Sequence, residues 1–254
     1  MNHSFFEIEN ISTPIIATAI HDGHLIKEEL IPFMLLSEQE RAREEDPYTV
    51  FMIAGLPVTK VNVSSSRFQL DLNRVIERAI YEKPEDAWGL NVWKALPEDE
   101  KQRLHSDYGL FYDAIKSLLE DTIKNHGYFV ILDVHTYNHR RDDAFTEADA
   151  EANPEINMGT FYNEQHWKGL CLAYTRFLVS QNFDARENVK FKGGAFAQWV
   201  IKNYGNKGCV LSIEFKKVFM DEWTGIANLP HLVRLQNLLS ASVDFLNSEI
   251  KKYL

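Results

Sequence analysis

The chain has 254 residues, of which 45% are hydrophobic, and its 27 basic and 37 acidic residues give a formal net charge of −10. This length and apolar content are enough for a large buried core, and we expect one domain over residues 1–254. A negative net charge repels phosphate backbones and anionic lipid surfaces, so neither nucleic acid nor a membrane is an expected partner.

The N-terminal stretch MNHSFFEIENISTPIIATAI lacks the basic start, long apolar core and small-residue cleavage site of a secretory signal. No later window approaches the ~18 uninterrupted apolar residues that indicate a transmembrane helix. The two cysteines, Cys171 and Cys209, have no spacing typical of a disulfide framework or a thiolate metal site. We therefore expect a cytoplasmic protein with two buried, reduced thiols.

Four short apolar runs rich in β-branched residues predict strands, at residues 14–21, 57–65, 128–136 and 209–215. The stretch 142–157 is acidic and irregular, which predicts a surface loop and part of a rim. Polar residues end each of the four runs, so the ends of the predicted strands are candidate positions for a functional site.

Segments with apolar residues at helical spacing lie between and after these runs, at residues 108–127, 163–181, 195–205 and 229–254. Gly127 is the predicted C-cap of the first helix. The alternation of strands and helices predicts a three-layer α/β/α fold around a mixed, mostly parallel central sheet.

Polar side chains gather where the predicted strands end. In chain order they are His21, His24, Asp71, Asn73, Arg74, Asp133, His135 and Glu214. Sheets of this kind bind ligands at the carboxyl ends of their strands. Burying a polar group without a partner costs roughly 1–3 kcal/mol, so these side chains must face either a ligand or water. The alternative to a ligand site is that the strand ends simply face water.

His21 in the stretch IHDGH is a candidate metal ligand, although a lone histidine after a strand is more often a hydrogen-bonded loop residue. Three features favour a ligand. Gly23 permits a tight turn that directs His24 to the same point. His135 ends another strand, and Asp133 faces the same side of that strand. Imidazole and carboxylate groups together suit zinc, whose catalytic sites use three protein ligands and leave one position for water.

Glu214 lies on the last predicted strand between Ile213 and Phe215. Beside a metal, its carboxylate would take a proton from water and pass it to a leaving amine. The alternative is a structural glutamate that pairs with Lys216 or Lys217.

Arg74 has a planar fork of donors that suits a substrate carboxylate, with Asn73 as a neighbouring polar contact. The commoner use of an arginine is a surface salt bridge. Arg140 and Arg141, in the run NHRRDD, raise the same question. They either reach the site or pair with the two aspartates that follow, and pairing is the favoured alternative.

In order along the chain, these segments resemble the N-formylglutamate amidohydrolases, whose fold is similar to that of the zinc carboxypeptidases. The matching stretches are IHDG at 20–23, SSRFQLDLNR at 65–74, ILDVHTY at 131–137, FKGG at 191–194 and LSIEF at 211–215. The resemblance extends from residue 14 to about residue 220, and the order of DLNR and FKGG is its most specific part.

The resemblance implies one zinc ion with His21 and His135 as ligands, and Glu214 as general base and proton shuttle. It leaves two candidates for the third ligand. His24 occupies the sequence position that a glutamate has in the related carboxypeptidases. Asp46 lies in the segment REEDPYT, which matches an aspartate-containing segment of the amidohydrolases.

The resemblance also implies that Asn73 and Arg74 bind the α-carboxylate of an N-acylated amino acid. Arg67 and Lys192 are secondary candidates for substrate anions, and Arg140 is a further candidate from the loop HTYNHRRDD. That loop departs from the family, whose members commonly have a serine after the histidine. It would shape the pocket for the acyl group or the side chain.

The function implied is zinc-dependent hydrolysis of the amide bond of an N-acylated, N-formyl-type amino acid. Two other classes stay open, namely a carboxypeptidase-like hydrolase of peptides or cell-wall fragments and a non-catalytic metal- or ligand-binding protein of the same fold. The sequence leaves the oligomeric state open.

Overall fold

One mixed sheet forms the centre of the computed structural model, which describes residues 5–254. The seven strands of this described part are β1 (Phe6–Glu9), β2 (Ile15–Ala19), β3 (Thr59–Val63), β4 (Phe129–Tyr137), β5 (Ile156–Gly159), β6 (Ala185–Glu187) and β7 (Gly208–Lys216). Their order across the sheet is β1-β3-β2-β4-β7-β5-β6. The pairs β1–β3 and β5–β7 are antiparallel and the other pairs are parallel, which confirms the predicted mixed, mostly parallel sheet.

Helices cover both faces of the sheet. Within residues 5–254 they are α1 (Glu38–Glu44), α2 (Thr49–Ile53), α3 (Glu98–His126), α4 (Lys168–Ser180), α5 (Ala195–Tyr204) and α6 (Leu229–Glu249). One apolar core joins α2, α4 and α6 to the first face, and a second joins α3 and α5 to the opposite face. The predicted three-layer arrangement is confirmed.

The predicted strands and helices are all present, but several boundaries differ. Helix α3 begins at Glu98, ten residues before the predicted start. Its first turn is acidic, which stabilises a helix N-terminus. Its first half buries little apolar surface, so the apolar pattern did not predict this part of the helix. It ends at Gly127, as predicted. The segment 142–157 is a loop until Ile156, where the short strand β5 begins.

Cys171 and Cys209 are buried in the core on the α4 side, as predicted, and neither forms a disulfide in the described chain. In the described part of the chain, none of the helices has the length and apolar character that crossing a membrane would require.

The carboxyl ends of β2, β4 and β7 bring polar side chains onto one face of the sheet. Successive side chains alternate between faces, so Asp133 and His135 of β4 point to the same side, towards α3 and α5. Glu214 of β7 lies directly beside His135 in the parallel register. The fold thus places the candidate base next to a candidate metal ligand.

Replacement of Gly109 by Ala is expected to stabilise the fold by about 0.5–1 kcal/mol, because glycine weakens a helix interior relative to alanine. Gly109 is exposed within α3, and a Cβ added there would meet no heavy atom within 4 Å. Urea unfolding of the two proteins under the same conditions measures the difference. A midpoint that stays equal or falls would contradict this account of α3.

Candidate active site

Three buried side chains converge at the carboxyl ends of β2 and β4. Oδ2 of Asp46 lies 2.9 Å from Nδ1 of His135 and 3.4 Å from Nδ1 of His21. One ligand atom from each residue lies within 4.8 Å of the other two. Asp46 comes from the turn between α1 and α2, and its N–H donates to the carbonyl oxygen of His21 at 3.0 Å. Three distant parts of the sequence thus meet at one point.

A second carboxylate orients each histidine through the ring nitrogen that does not face Asp46. Nε2 of His21 lies 2.8 Å from Oδ1 of Asp71, and Nε2 of His135 lies 3.1 Å from Oδ1 of Asp133. An ionised carboxylate only accepts hydrogen bonds, so each Nε2 carries a proton, and in the neutral imidazole Nδ1 is then the atom with a lone pair for a metal. Both Nδ1 atoms face the Asp46 carboxylate, and Nδ1 of His21 has no hydrogen-bond partner within residues 5–254.

The two orienting carboxylates stay ionised despite their burial. Burial raises the pKa of Asp71, but the charges of Arg67 and His21 outweigh it and hold the pKa well below its ordinary value. Burial likewise raises the pKa of Asp133, and interaction with His135 reverses the direction. Both aspartates are therefore fixed acceptors.

This donor set fits a zinc ion. Three acceptor atoms that face one another repel unless a cation or a proton lies between them, and two imidazoles with one carboxylate are ligands that catalytic zinc sites use. Carboxylates behind the ligating histidines are the usual partners in such sites. When no metal is bound, a proton lies between these acceptor atoms. Burial lowers the pKa of His135, but Asp133 and Asp46 raise it well above its ordinary value.

Asp133→Asn is expected to lower zinc affinity by roughly 10- to 100-fold, because an amide no longer enforces the protonation of His135 at Nε2. Competition with a zinc chelator at fixed pH measures the affinity. Asp121→Asn, at an exposed position of α3, is the matched control. Equal affinities in all three proteins would show that Asp133 does not act through His135.

The structure does not bring His24 to this group. Nδ1 of His24 lies 2.5 Å from Oε2 of Glu45, and the His24 side chain is 41% exposed. Gly23 passes so close to the segment after β3 that a Cβ would lie 2.3 Å from the carbonyl carbon of Ser64. The tight path expected at Gly23 is present, but it directs His24 away from the other ligands. Of the two candidates for the third ligand, Asp46 lies beside the histidines.

Glu214 faces the same point from β7. Within residues 5–254 its carboxylate forms no hydrogen bond and no ion pair, and burial raises its pKa to about 8. The alternative partners are engaged elsewhere, since Nζ of Lys216 and Nζ of Lys217 donate to main-chain carbonyl groups at 2.7–2.9 Å. A carboxyl group with this pKa can accept and return a proton near neutral pH.

These groups lie at the base of a cleft of about 350 Å³. Its walls carry many cationic side chains, namely those of Arg67, Arg74, Arg141, Lys190, Lys192 and Lys217. The chain as a whole has a net charge of −10, so this concentration of positive charge is local to the cleft. It favours an anionic ligand.

The two arginines of the segment after β3 differ in how strongly they are held. Arg67 forms an ion pair with Asp71 at 2.8 Å, and its side chain is 11% exposed. Arg74 comes only within 3.8 Å of Asp71 and is 37% exposed. Its guanidinium donates no hydrogen bond within the described chain. Arg74 is therefore free to bind a substrate anion, whereas Arg67 holds the aspartate that orients His21.

Asn73 joins the cleft to the first turn of α5. Its Oδ1 accepts the N–H of Phe196 at 3.0 Å, and its side chain lines the cleft. A Cβ on Gly194 would lie 2.1 Å from this Oδ1, so the last glycine of FKGG is required by the close approach of Asn73. The amide nitrogen of Asn73 has no partner in the described residues and remains available to a ligand.

Lys190 and Lys192 form a cationic wall of the cleft. Lys192 is exposed and has no ion pair within residues 5–254, and its Nζ lies 5.1 Å from the centre of the Phe161 ring. Nζ of Lys190 donates to Oδ1 of Asn153 at 2.5 Å. Lys190 was not predicted from the sequence, although its position two residues before Lys192 was a usable signal.

Arg140 lies outside the lining of the cleft and Arg141 lies within it. Arg140 forms ion pairs with Glu147 at 3.6 Å and Asp221 at 3.8 Å. NH1 of Arg141 donates to both carboxylate oxygens of Glu44, at 3.0 and 2.9 Å. In the described chain neither arginine pairs with the two aspartates that follow, so the favoured sequence interpretation is not what the structure shows.

Known proteins resemble this chain in sequence and in fold. A family model described as N-formylglutamate amidohydrolase matches residues 13–220, which include every candidate site residue named above. No curated protein matches the chain.

Two solved structures share the fold over nearly their whole lengths. An N-formylglutamate amidohydrolase from Ralstonia eutropha JMP134 is 15% identical, with a TM-score of 0.78 over 96% of this chain and 99% of that one. A gene product from Agrobacterium tumefaciens is 16% identical, with a TM-score of 0.68 over 97% of both chains.

Proposed function

The chain belongs to the N-formylglutamate amidohydrolase family, and we propose that it hydrolyses the amide bond of an N-acylated amino acid with one zinc ion. The observation that carries the proposal is the convergence of His21, Asp46 and His135, with Glu214 one strand away. These three residues would hold the metal, and Glu214 would handle the proton.

When bound, zinc supplies Lewis acidity that acidifies a water molecule and polarises the amide carbonyl. Asp71 and Asp133 contribute by keeping the lone pairs of both histidines directed to the metal position. Because the three ligands already lie close together and both histidines are held by hydrogen bonds, the ligands need little reorganisation before they bind.

Glu214 is the proposed general base and acid. It takes a proton from the attacking water and returns the proton to the leaving nitrogen when the C–N bond breaks. Its freedom from other partners supports this role, because no hydrogen bond in the described chain has to break before the carboxylate accepts the proton. Burial raises the pKa of Glu214 in the metal-free protein, and a higher pKa makes the carboxylate a stronger acceptor of the proton from water.

The cationic walls of the cleft orient the substrate. Arg74 and the amide nitrogen of Asn73 bind the α-carboxylate, which places the amide bond near the metal. Lys190 and Lys192 also line the cleft and suit a second carboxylate. An N-acylated acidic amino acid therefore fits the distribution of charge better than a neutral one.

A panel of substrates tests this proposal. The zinc-loaded protein is expected to hydrolyse N-acyl-L-glutamates faster than N-acyl-L-leucine and faster than dipeptides of the same length. Faster turnover of peptides would indicate a carboxypeptidase-like hydrolase. Absence of any hydrolysis, with no gain in thermal stability on addition of zinc, would indicate a non-catalytic protein.

A further inference from the structure

A second cavity of about 370 Å³ adjoins the active-site cleft. The two share Glu44, Trp88 and Arg141 in their linings, so the ion pair of Glu44 with Arg141 forms a common wall. Beyond this wall the second cavity is lined by Trp223, Leu90 and further side chains of α1. The cleft therefore continues past the cationic site.

Two tryptophans and two arginines contribute flat surfaces to the lining of the second cavity, which also carries two glutamates. The guanidinium carbon of Arg43 lies 3.9 Å from the ring centre of Trp223. The Trp223 indole is fixed in place, because its Nε1 donates to the carbonyl oxygen of Arg140 at 3.0 Å. Indole and guanidinium planes are the surfaces that proteins use to bind flat conjugated groups.

Trp88, in the shared wall, is held in an uncommon conformation. Its φ is 54°, in the left-handed region that disfavours a bulky residue, and 42% of the residue is exposed. Backbone strain of this kind is concentrated at ligand-binding positions. An exposed indole at the junction of two cavities is a surface suited to a ligand that spans both.

We propose that the second cavity is the acyl subsite of this enzyme and that it binds a flat aromatic acyl group. The inference rests on the proposed function, in which Arg74, Asn73 and the two lysines bind the amino-acid part. The acyl group then extends over the wall that Glu44 and Arg141 form. A formyl group, with a single carbon, would leave this cavity unfilled.

The reaction needs no co-reactant besides water. The C–N bond of the amide breaks, the acyl carbon gains a hydroxyl group, and the nitrogen gains a proton. The products are an aromatic carboxylic acid and the free amino acid.

Two substrates and two variants test the subsite. We expect the zinc-loaded protein to have a kcat/KM for N-phenylacetyl-L-glutamate at least about tenfold above that for N-formyl-L-glutamate. Trp223→Ala removes one flat surface, and Gln39→Trp fills the cavity from an exposed position of α1. Each variant should lower the ratio of the two kcat/KM values about tenfold.

Phe145→Ala is the control, because this aromatic side chain is 91% exposed and lines neither cavity. It should leave the ratio unchanged. A preference of the wild-type protein for the formyl compound, or a ratio that neither variant changes, overturns the subsite and leaves the proposed function intact. Hydrolysis of neither compound overturns the proposed function, and the subsite with it.

Discussion

Glu214→Gln is expected to lower kcat for hydrolysis of an N-acyl-L-glutamate by roughly 10²- to 10⁴-fold, because glutamine cannot accept a proton from water. KM and zinc content should change little, since Glu214 is proposed neither as a ligand nor as a substrate anchor. Steady-state kinetics on protein of measured zinc content gives both quantities. Glu29→Gln, at an exposed position, is the control. Near-normal hydrolysis by the zinc-loaded variant would remove Glu214 from the mechanism.

Loss of the fold cannot account for this effect, because the variant should be at least as stable as the wild type. Burial raises the pKa of Glu214 from an ordinary value of 4.5 to about 8 in the folded protein. The folded state thus holds a proton that the unfolded state has lost, and the wild-type protein loses stability relative to the variant as the pH rises from about 4.5 to about 8. Urea unfolding of the metal-free proteins at pH 5 and pH 9 tests this direction.

Asp46→Asn is expected to weaken zinc binding by more than about 100-fold. This loss exceeds the roughly 10- to 100-fold loss expected when a residue that only hydrogen-bonds to a ligand is changed. The change removes a negative charge from the point where the two histidines converge, and hydrolysis should fall with zinc occupancy. His24→Ala should bind zinc as the wild type does, because His24 is paired with Glu45 away from the site.

Equilibrium competition with a chelator compares the two variants directly. Equal zinc affinities for Asp46→Asn and the wild type, with a large loss in His24→Ala, would reverse the assignment of the third ligand. Far-UV circular dichroism of each variant shows whether the fold is retained.

The layer architecture could be predicted because its long elements carry strong periodic patterns. The strands β2, β4 and β7 are buried on both faces, so their apolar runs are nearly continuous. The edge strands were missed for physical reasons. Strand β6 has only three residues and forms by pairing with β5. The local sequence does not encode this pairing.

The direction of a candidate side chain could be predicted where a strand fixes it. His135 and Glu214 lie within strands, whose alternation determines their direction. His24 and Arg140 lie in loops, where no regular alternation determines the direction of a side chain. Arg141 lines the cleft in place of Arg140. The close approach of Gly23 to Ser64, which sets the direction of His24, is a tertiary contact that the sequence alone does not reveal.

A zinc-edge anomalous difference map from crystals of the zinc-loaded protein tests the central claim most directly. We expect one peak, bounded by Nδ1 of His21, Nδ1 of His135 and a carboxylate oxygen of Asp46. The Glu214 carboxylate should lie close to this peak without binding the metal. A peak coordinated by His24, or no peak between the two histidines, would contradict the proposed zinc site.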